Sequence, residues 1–214
     1  MPFKDRKDAG KQLASALLKY RQAPKTAVVG LPRGGVVVAY EVAHALGLPL
    51  EIVVPRKIGA PENEELAIGA LAGEILLINR ELADRLGATA AYLEKAVARE
   101  KKEAQRRFAL YCEKKPLPEF SGWTLLVVDD GIATGYTIRA SLLWLKRLGA
   151  ARLIAAIPVA PPETLKDLAR IADEVVCLSA PASFMAVGQF YERFEATEDD
   201  EVIRLLQKSA RESV

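Results

Sequence analysis

The most informative stretch of the chain is LLVVDDGIATGYT, residues 125–137. Its four leading apolar residues predict a strand buried on both faces, as in a parallel sheet. Two adjacent carboxylates, Asp129 and Asp130, follow at the carboxyl end of that strand, which is where open parallel sheets bind ligands. A turn of small residues then leads into a helix predicted over residues 135–148. The stretch therefore predicts a strand–turn–helix unit with a ligand site at its centre.

The two halves of this stretch favour different chemical groups. The carboxylates of Asp129 and Asp130 accept hydrogen bonds from hydroxyls or hold a divalent cation. The turn exposes backbone N–H groups at a helix N-terminus, which favours a phosphate, and Thr134 and Thr137 add hydroxyl donors. A ribose 5-phosphate, with a diol at one end and a phosphate at the other, meets both requirements. The alternative is that the two aspartates are only a polar strand end.

The pattern around this stretch alternates strands with helices. Strands are predicted over residues 26–31, 50–55, 123–129, 152–159 and 174–178. Helices over 34–46 and 162–171 lie between them, which is typical of parallel βαβ units. The sequence therefore predicts an α/β fold, an open parallel sheet flanked by helices.

We predict one domain over residues 1–214. Its core comprises about residues 22–56 and 122–180. An insertion over about 57–121 contains a hairpin around Gly73 and a long helix that Thr89 caps and that ends near Lys114. Residues 181–214 form a C-terminal hood or tail, in which Thr197 and Asp200 offer a capping box to a last helix.

Composition narrows the class of protein. The chain has 214 residues, of which 50% are hydrophobic and 27% charged, as in ordinary globular proteins. Lys and Arg number 30 against 28 Asp and Glu, which does not favour a nucleic-acid partner. The two cysteines match no metal-ligand spacing and predict reduced thiols. Without an apolar signal segment or a membrane-length apolar run, we predict a cytoplasmic protein with no membrane partner.

Residues 125–137 closely resemble the signature of the type I phosphoribosyltransferases: four apolar residues, two acidic residues, then small residues ending in Thr-Gly-x-Thr. The resemblance implies that Asp129 and Asp130 meet the ribose hydroxyls of phosphoribosyl pyrophosphate, directly or through Mg²⁺. It implies that the 5-phosphate lies in a cradle formed by Gly131, Ile132, Ala133, Thr134, Gly135, Tyr136 and Thr137. Family members specific for 6-oxopurines often have a carboxylate at the place of Ala133. The absence of that carboxylate here puts 6-oxopurine specificity in doubt and removes one candidate acid or base.

Residues 30–35, GLPRGG, follow the first core strand. In the family a loop at this place grips pyrophosphate, often through a non-proline cis peptide. Arg33, Gly34 and Gly35 match by position, so the resemblance implies that they bind pyrophosphate. We predict a cis bond before Arg33 or before Gly34. The alternative is that the two glycines only begin a helix.

Residues 56–65, RKIGAPENEE, predict an exposed loop that is mobile without substrate. The family has a mobile loop after its second core strand that closes over the reacting centre and excludes water. The resemblance implies that Lys57 stabilises the leaving pyrophosphate and that Arg56 also binds it. The alternative is a solvated surface loop.

Residues 184–191, FMAVGQFY, follow the last core strand. The family places its nucleobase recognition in a hood that varies between members, and Phe184, Phe190 and Tyr191 could stack on a base there. The alternative is a packed tail that uses Phe184 and Phe190 as core anchors. We favour the tail because no polar pair here matches the edge of a base.

Residues 59–69, 127–137 and 187–191 together resemble a bacterial branch of predicted phosphoribosyltransferases. The implied reaction is attack of a nitrogen nucleophile, chiefly a nucleobase, on C1 of phosphoribosyl pyrophosphate, with release of pyrophosphate and with Mg²⁺ on the diphosphate. Two alternatives stay open: a non-catalytic regulator that binds phosphoribosyl pyrophosphate, and, more weakly, a receiver-type signalling domain. The sequence also leaves open the acceptor base and whether the chain forms a homodimer.

Overall fold

A computed structural model describes residues 2–112 and 118–212. The strands are β1 Thr26–Gly30, β2 Leu50–Ile52, β3 Arg56–Ala60, β4 Asn63–Ala72, β5 Ile75–Ile78, β6 Thr124–Val128, β7 Arg152–Val159 and β8 Glu174–Ser179. The helices are α1 Arg6–Ala16, α2 Gly34–Leu46, α3 Arg80–Arg85, α4 Ala90–Tyr111, α5 Tyr136–Arg147, α6 Pro162–Leu168 and α7 Asp199–Glu212. Short 3₁₀ turns lie at Leu18–Tyr20 and Val187–Phe190.

The central sheet has the strand order β2-β1-β6-β7-β8, and all its strand pairs are parallel. This confirms the predicted α/β fold; the bounds of β7 are as predicted, and those of the other four strands differ by one to three residues. The order places β2 on one side of β1 and β6 on the other. The carboxyl ends of β1 and β6 therefore flank the point where the sheet changes winding direction, which is the usual ligand crevice of such sheets.

Strand β6 lies at the centre of the core, as its apolar run predicts. All four of its residues from Leu125 to Val128 are fully buried. Leu126 and Val128 pack with α2 residues on one face of the sheet, and Leu125 and Val127 pack with α5 residues on the other. This alternation is the period-2 geometry of a strand between two helical layers. The strand that carries the two aspartates is thus anchored from both sides.

The inserted segment forms a second, antiparallel sheet in the order β3-β4-β5. The hairpin predicted around Gly73 is present as β4–β5, with Gly73 at φ +54°. The exposed irregular loop predicted over residues 56–65 is wrong, because these residues form β3 and the start of β4. Ile58 and Ile68 are fully buried against α4, and their burial stabilises the hairpin despite its charged tip. Helix α4 begins after Thr89 as predicted; its predicted end at Lys114 lies outside the described residues.

The two terminal segments pair with each other, which the sequence did not predict. The Phe3 amide donates to the Phe190 carbonyl, and the Glu192 amide donates to the Phe3 carbonyl, both at 2.8 Å. Arg193 and Asp5 add an ion pair of 2.6 Å. We call residues 3–5 and 190–193 the terminal seam. Beyond it, α7 begins at Asp199, one residue later than the predicted capping box of Thr197 and Asp200 requires.

No helix in the described ranges, 2–112 and 118–212, combines the length and apolar character needed to cross a membrane.

Candidate active site

A cavity of about 650 Å³ opens at the carboxyl ends of β1 and β6. Gly30 and Val128 are partners in the strand register, and the Leu31 amide continues the pairing to the Val128 carbonyl at 3.0 Å. The loops that leave these two strands must therefore begin side by side. They are the predicted pyrophosphate loop, residues 31–35, and the turn that carries the paired aspartates, residues 129–135.

The cavity brings together most of the residues predicted from sequence. Those that line it are Arg33, Gly34, Arg56, Lys57, Asp129, Asp130, Gly131, Ile132, Ala133, Thr134, Gly135 and Thr137. Those that do not are Gly35, Tyr136, Phe184, Phe190 and Tyr191. The three predicted loops thus meet at one site, while the aromatic hood residues lie outside it.

The two aspartates have different surroundings. The Oδ1 atom of Asp129 accepts a hydrogen bond from the Asp130 amide at 2.9 Å. Burial, and then the nearby Asp130 charge, raise the pKa of Asp129 well above its usual value, and Lys57 opposes this shift. Asp130 instead forms an ion pair with Arg6, whose Nε lies 2.7 Å from Oδ2. The pair is therefore electrostatically asymmetric.

The turn after the aspartates is held from below by two contacts. The Thr164 hydroxyl donates to the Ala133 carbonyl at 2.6 Å, and the Ile132 amide donates to the Val159 carbonyl at 3.0 Å. Gly135, at φ +71°, then begins α5. The first turn of a helix leaves its N–H groups without intrahelical partners, so this end of α5 favours an anion. Tyr136 points away, and its hydroxyl accepts from Asn79 at 3.0 Å.

The pyrophosphate loop packs directly on the aspartates. A β carbon added at Gly34 would lie 2.0 Å from the Asp130 Oδ2 atom, and one added at Gly35 would lie 2.8 Å from the Asp129 Oδ1 atom. Only glycine permits this approach, which explains both residues. The Pro32–Arg33 peptide is cis, which confirms the first of the two predicted positions. The Arg33 Nη1 atom lies 3.5 Å from Glu198 Oε2, at the start of α7.

The β3–β4 hairpin contributes a further part of the cavity wall. Arg56 and Lys57 both line the cavity, and the Arg56 Nε atom is paired with Glu100 of α4 at 2.8 Å. The Tyr92 hydroxyl of α4 also donates to the Gly59 carbonyl at 2.9 Å. The hairpin is thus fastened to α4, and Lys57 is the hairpin cation whose charge acts on Asp129.

The predicted hood aromatics form a packed tail, as the alternative interpretation proposes. Phe184 and Phe190 contact each other with ring centroids 5.1 Å apart, in a cluster with Phe3. The Tyr191 hydroxyl donates to the Asp130 carbonyl beneath the cavity. The cavity wall on this side is formed by Val187 and Phe194 instead.

Sequence reasoning missed several residues of the cavity. Arg6 comes from the first turn of α1, Phe194 from the tail, and Glu100 and Arg107 from α4. Arg6 contacts Asp130 across 124 residues of chain, and no local motif marks such a pairing. The one available signal is the excess of charge in α4, which is equally typical of a solvated helix face.

Comparison with known proteins agrees with this geometry. The phosphoribosyl transferase domain model matches residues 3–193. A Mycobacterium tuberculosis protein, provisionally named a phosphoribosyl transferase, is 39% identical over 211 residues, in both strain CDC 1551 / Oshkosh and strain H37Rv. The match covers 98% of this chain but 47% of that protein, so the chain spans about half the length of these curated relatives.

Two solved structures are similar to the whole or most of the chain. TT1426 from Thermus thermophilus is 41% identical with a TM-score of 0.77, and the match covers 97% of this chain and 99% of that one. The AQ2163 protein from Aquifex aeolicus, 14% identical with a TM-score of 0.50 over 82% of this chain and 74% of that one, shares the fold alone. Because the family model spans most of the described residues, including all three loops of the cavity, the chain belongs to the phosphoribosyl transferase domain family.

Proposed function

We propose that the chain is a phosphoribosyltransferase that transfers the 5-phosphoribosyl group of phosphoribosyl pyrophosphate to a nitrogen acceptor, chiefly a nucleobase. The C1–O bond to pyrophosphate breaks, a C1–N bond forms, and pyrophosphate leaves. The observation that carries this proposal is the meeting of three ligand-binding features at one cavity. A helix N-terminus suited to a phosphate, two carboxylates suited to a diol and a glycine loop suited to pyrophosphate all line the same cavity of about 650 Å³.

Different residues of the cavity bind different parts of the proposed substrate. Residues 131–135 and Thr137 bind the 5-phosphate, Asp129 and Asp130 bind the ribose hydroxyls, and Arg33 with Gly34 lies at the pyrophosphate. Val187 and Phe194, rather than Phe184, Phe190 and Tyr191, give the cavity its apolar wall, and we place the flat acceptor against them. Gly35 acts through Asp129, on which it packs.

The acidic pair fits a magnesium ion that arrives with its substrate. Within residues 2–112 and 118–212, no group of three or more His, Cys, Asp or Glu side chains could hold a metal ion. One oxygen of Asp130 is already bonded to Arg6. Mg²⁺ usually takes one or two carboxylates and completes its shell with water and substrate phosphates, which is the donor set this cavity offers. When bound, Mg²⁺ would neutralise charge on the diphosphate.

Binding of phosphoribosyl pyrophosphate is the first test of this function. We expect saturable binding in titration calorimetry with Mg²⁺ present. Asp130→Asn removes the ionised acceptor of the ribose hydroxyls and should weaken binding by about 1–3 kcal/mol, the scale of hydrogen bonds to charged groups. Equal affinity of the variant and the wild type would contradict the assignment of residues 129–137.

The acceptor is tested by a screen of nucleobases with Mg²⁺ and phosphoribosyl pyrophosphate, with release of pyrophosphate as the readout. Turnover with one base supports the enzyme and identifies its substrate. Tight binding without turnover for any nitrogen acceptor would favour a regulator that senses phosphoribosyl pyrophosphate.

Lys57→Ala should lower turnover more than it weakens substrate binding. The side chain lines the same cavity as the aspartates, where a cation stabilises charge that develops on the leaving pyrophosphate. We expect the rate constant to fall about tenfold to a hundredfold, with a smaller change in the dissociation constant. Lys102→Ala, which removes an exposed lysine of α4 outside the cavity, is the matched control. A tenfold loss of binding with unchanged turnover per bound substrate would make Lys57 a ground-state clamp.

A further inference from the structure

Asp130 is held by its neighbour Asp129 and by two distant parts of the chain. Its Oδ2 atom accepts from Arg6 of α1 at 2.7 Å, and its amide donates to Asp129 at 2.9 Å. Its carbonyl accepts from the hydroxyl of Tyr191, in the terminal seam. These contacts restrain both the backbone and one of the two carboxylate oxygens. Arg6 binds the carboxylate at Oδ2 and the side chain lines the cavity, so we assign the other oxygen to a ligand.

Arg6 is itself fixed on several sides. Its Nη1 atom donates to the Glu195 carbonyl at 2.7 Å, and its guanidinium carbon lies 3.8 Å from the centre of the Phe194 ring. The side chains of Arg6 and Asp130 are only 12% and 15% exposed. A charge-assisted hydrogen bond in so dry a position is strong, and the planar guanidinium gives it a defined direction. Arg6 is therefore a rigid support rather than a mobile surface cation.

The position of Arg6 depends on two other features of the fold. Arg6 is the first residue of α1, directly after the N-cap Asp5, which is also tied to Arg193 across the terminal seam. A β carbon at Gly34 would lie 2.6 Å from the Arg6 Nε atom. Because Gly34 of the pyrophosphate loop has no side chain, Arg6 has the space to reach Asp130.

We propose that Arg6 is a substrate-positioning residue, which binds one carboxylate oxygen of Asp130 and so presents the other to the ribose of the substrate. The inference rests on the proposed function and makes the N-terminal segment part of the active site. It assigns to Arg6 an effect on ligands that contain ribose and no direct role for ligands that lack it. If the Arg6–Asp130 ion pair served only the fold, replacing Arg6 would not weaken ribose-containing ligands more than ligands without ribose.

The test compares three ligands in the presence of Mg²⁺: phosphoribosyl pyrophosphate, ribose 5-phosphate and inorganic pyrophosphate. Arg6→Gln should weaken the two ribose-containing ligands about tenfold to a hundredfold and change pyrophosphate affinity less than about twofold. Arg6→Lys keeps the charge but not the planar fork, and should fall between wild type and Arg6→Gln. Arg147→Gln removes an exposed ion pair with Glu74, outside the cavity and the terminal seam, and should leave all three affinities unchanged.

Thermal unfolding accompanies each titration, and Arg6→Lys carries the test if Arg6→Gln does not fold. Wild-type affinity for phosphoribosyl pyrophosphate in the Arg6 variants would overturn the inference and leave the proposed function standing. Parallel losses for pyrophosphate and phosphoribosyl pyrophosphate would also overturn it, because they indicate general damage to the cavity. Absence of phosphoribosyl pyrophosphate binding by the wild type would overturn the proposed function and this inference together.

Discussion

Gly34→Ala is expected to weaken binding of phosphoribosyl pyrophosphate at least about a hundredfold, or about 2.7 kcal/mol. The added methyl group would lie 2.0 Å from the Asp130 carboxylate and 2.6 Å from Arg6, so the loop or the ion pair must shift. Either shift displaces a group that we assign to substrate. Crowding of this kind costs about 1–3 kcal/mol of stability, which a folded domain of this size tolerates. Calorimetry measures the affinity, and circular dichroism checks the fold.

Gly87→Ala is the matched control for this variant. Gly87 has φ +70°, and nothing lies within 4 Å of an added β carbon. The left-handed backbone costs an alanine about 1–2 kcal/mol, so thermal stability should fall. Affinity for phosphoribosyl pyrophosphate should not change, because Gly87 follows α3 and does not line the cavity. If Gly34→Ala kept wild-type affinity, the packing of the loop on the aspartates would have no role in binding.

Asp129→Asn is expected to stabilise the free protein and to impair its activity. The folded state raises the pKa of Asp129 through burial and the neighbouring Asp130 charge. The asparagine keeps an oxygen that can accept the Asp130 amide but carries no charge. We expect a higher Tm at neutral pH, together with a loss of phosphoribosyl pyrophosphate affinity of about 1–3 kcal/mol. Functional sites commonly show this opposition between stability and activity.

The gain in Tm should depend on pH. Because the folded-state pKa of Asp129 is raised, the unfolded chain releases its proton first as the pH rises. The wild type therefore loses stability between the unfolded pKa and the folded pKa, and the advantage of Asp129→Asn should grow over that interval. Below about pH 4 both states are protonated and the difference should vanish. A pH-independent difference in Tm would contradict the burial of an uncompensated charge.

Glu103→Gln provides a control of the opposite sign. Arg106 and Arg107 of the same helix lower the pKa of Glu103 to about 2. Its ionised form therefore contributes stability at neutral pH, and that contribution is lost as the pH falls towards 2. Glu103→Gln should lower Tm at neutral pH, and its difference from wild type should also vanish in acid. The two variants separate a carboxylate that opposes folding from one that favours it.

The sequence predicted those parts of the fold and site whose signals lie within one short stretch of chain. Residues 125–137 carry their own strand, turn and helix signals, and the glycines at 34 and 35 follow a predicted strand directly. The parallel order of the sheet then brings both loops to one edge. The predicted exposed loop over residues 56–65 was wrong because Glu62, Glu64 and Glu65 dominate its composition, whereas Ile58 and Ile68 decide its structure by their burial.

The remaining parts depend on contacts between distant residues. Arg6 and Phe194 become part of the cavity only because α1 and the tail meet at Asp130, and nothing in either local pattern indicates the other. The aromatics of residues 184–191 allowed both a base site and a packed tail, since a flat ring suits a base and a packed core equally well. Their contact with Phe3 decides between the two, and that contact spans almost the whole described chain.

The terminal seam has a consequence for the order of events during protein synthesis. The ribosome makes Arg6 first and Asp130 much later, but Tyr191 and Glu195, which fix Asp130 and Arg6, come later still. At about 5–20 residues per second, several seconds separate translation of the aspartates from translation of these partners. A nascent chain that has completed β6 thus has its acidic pair but not the contacts that orient it. The cavity reaches its final form only after residue 195 has left the exit tunnel, so a premature stop upstream of that point yields a protein without an ordered ribose site.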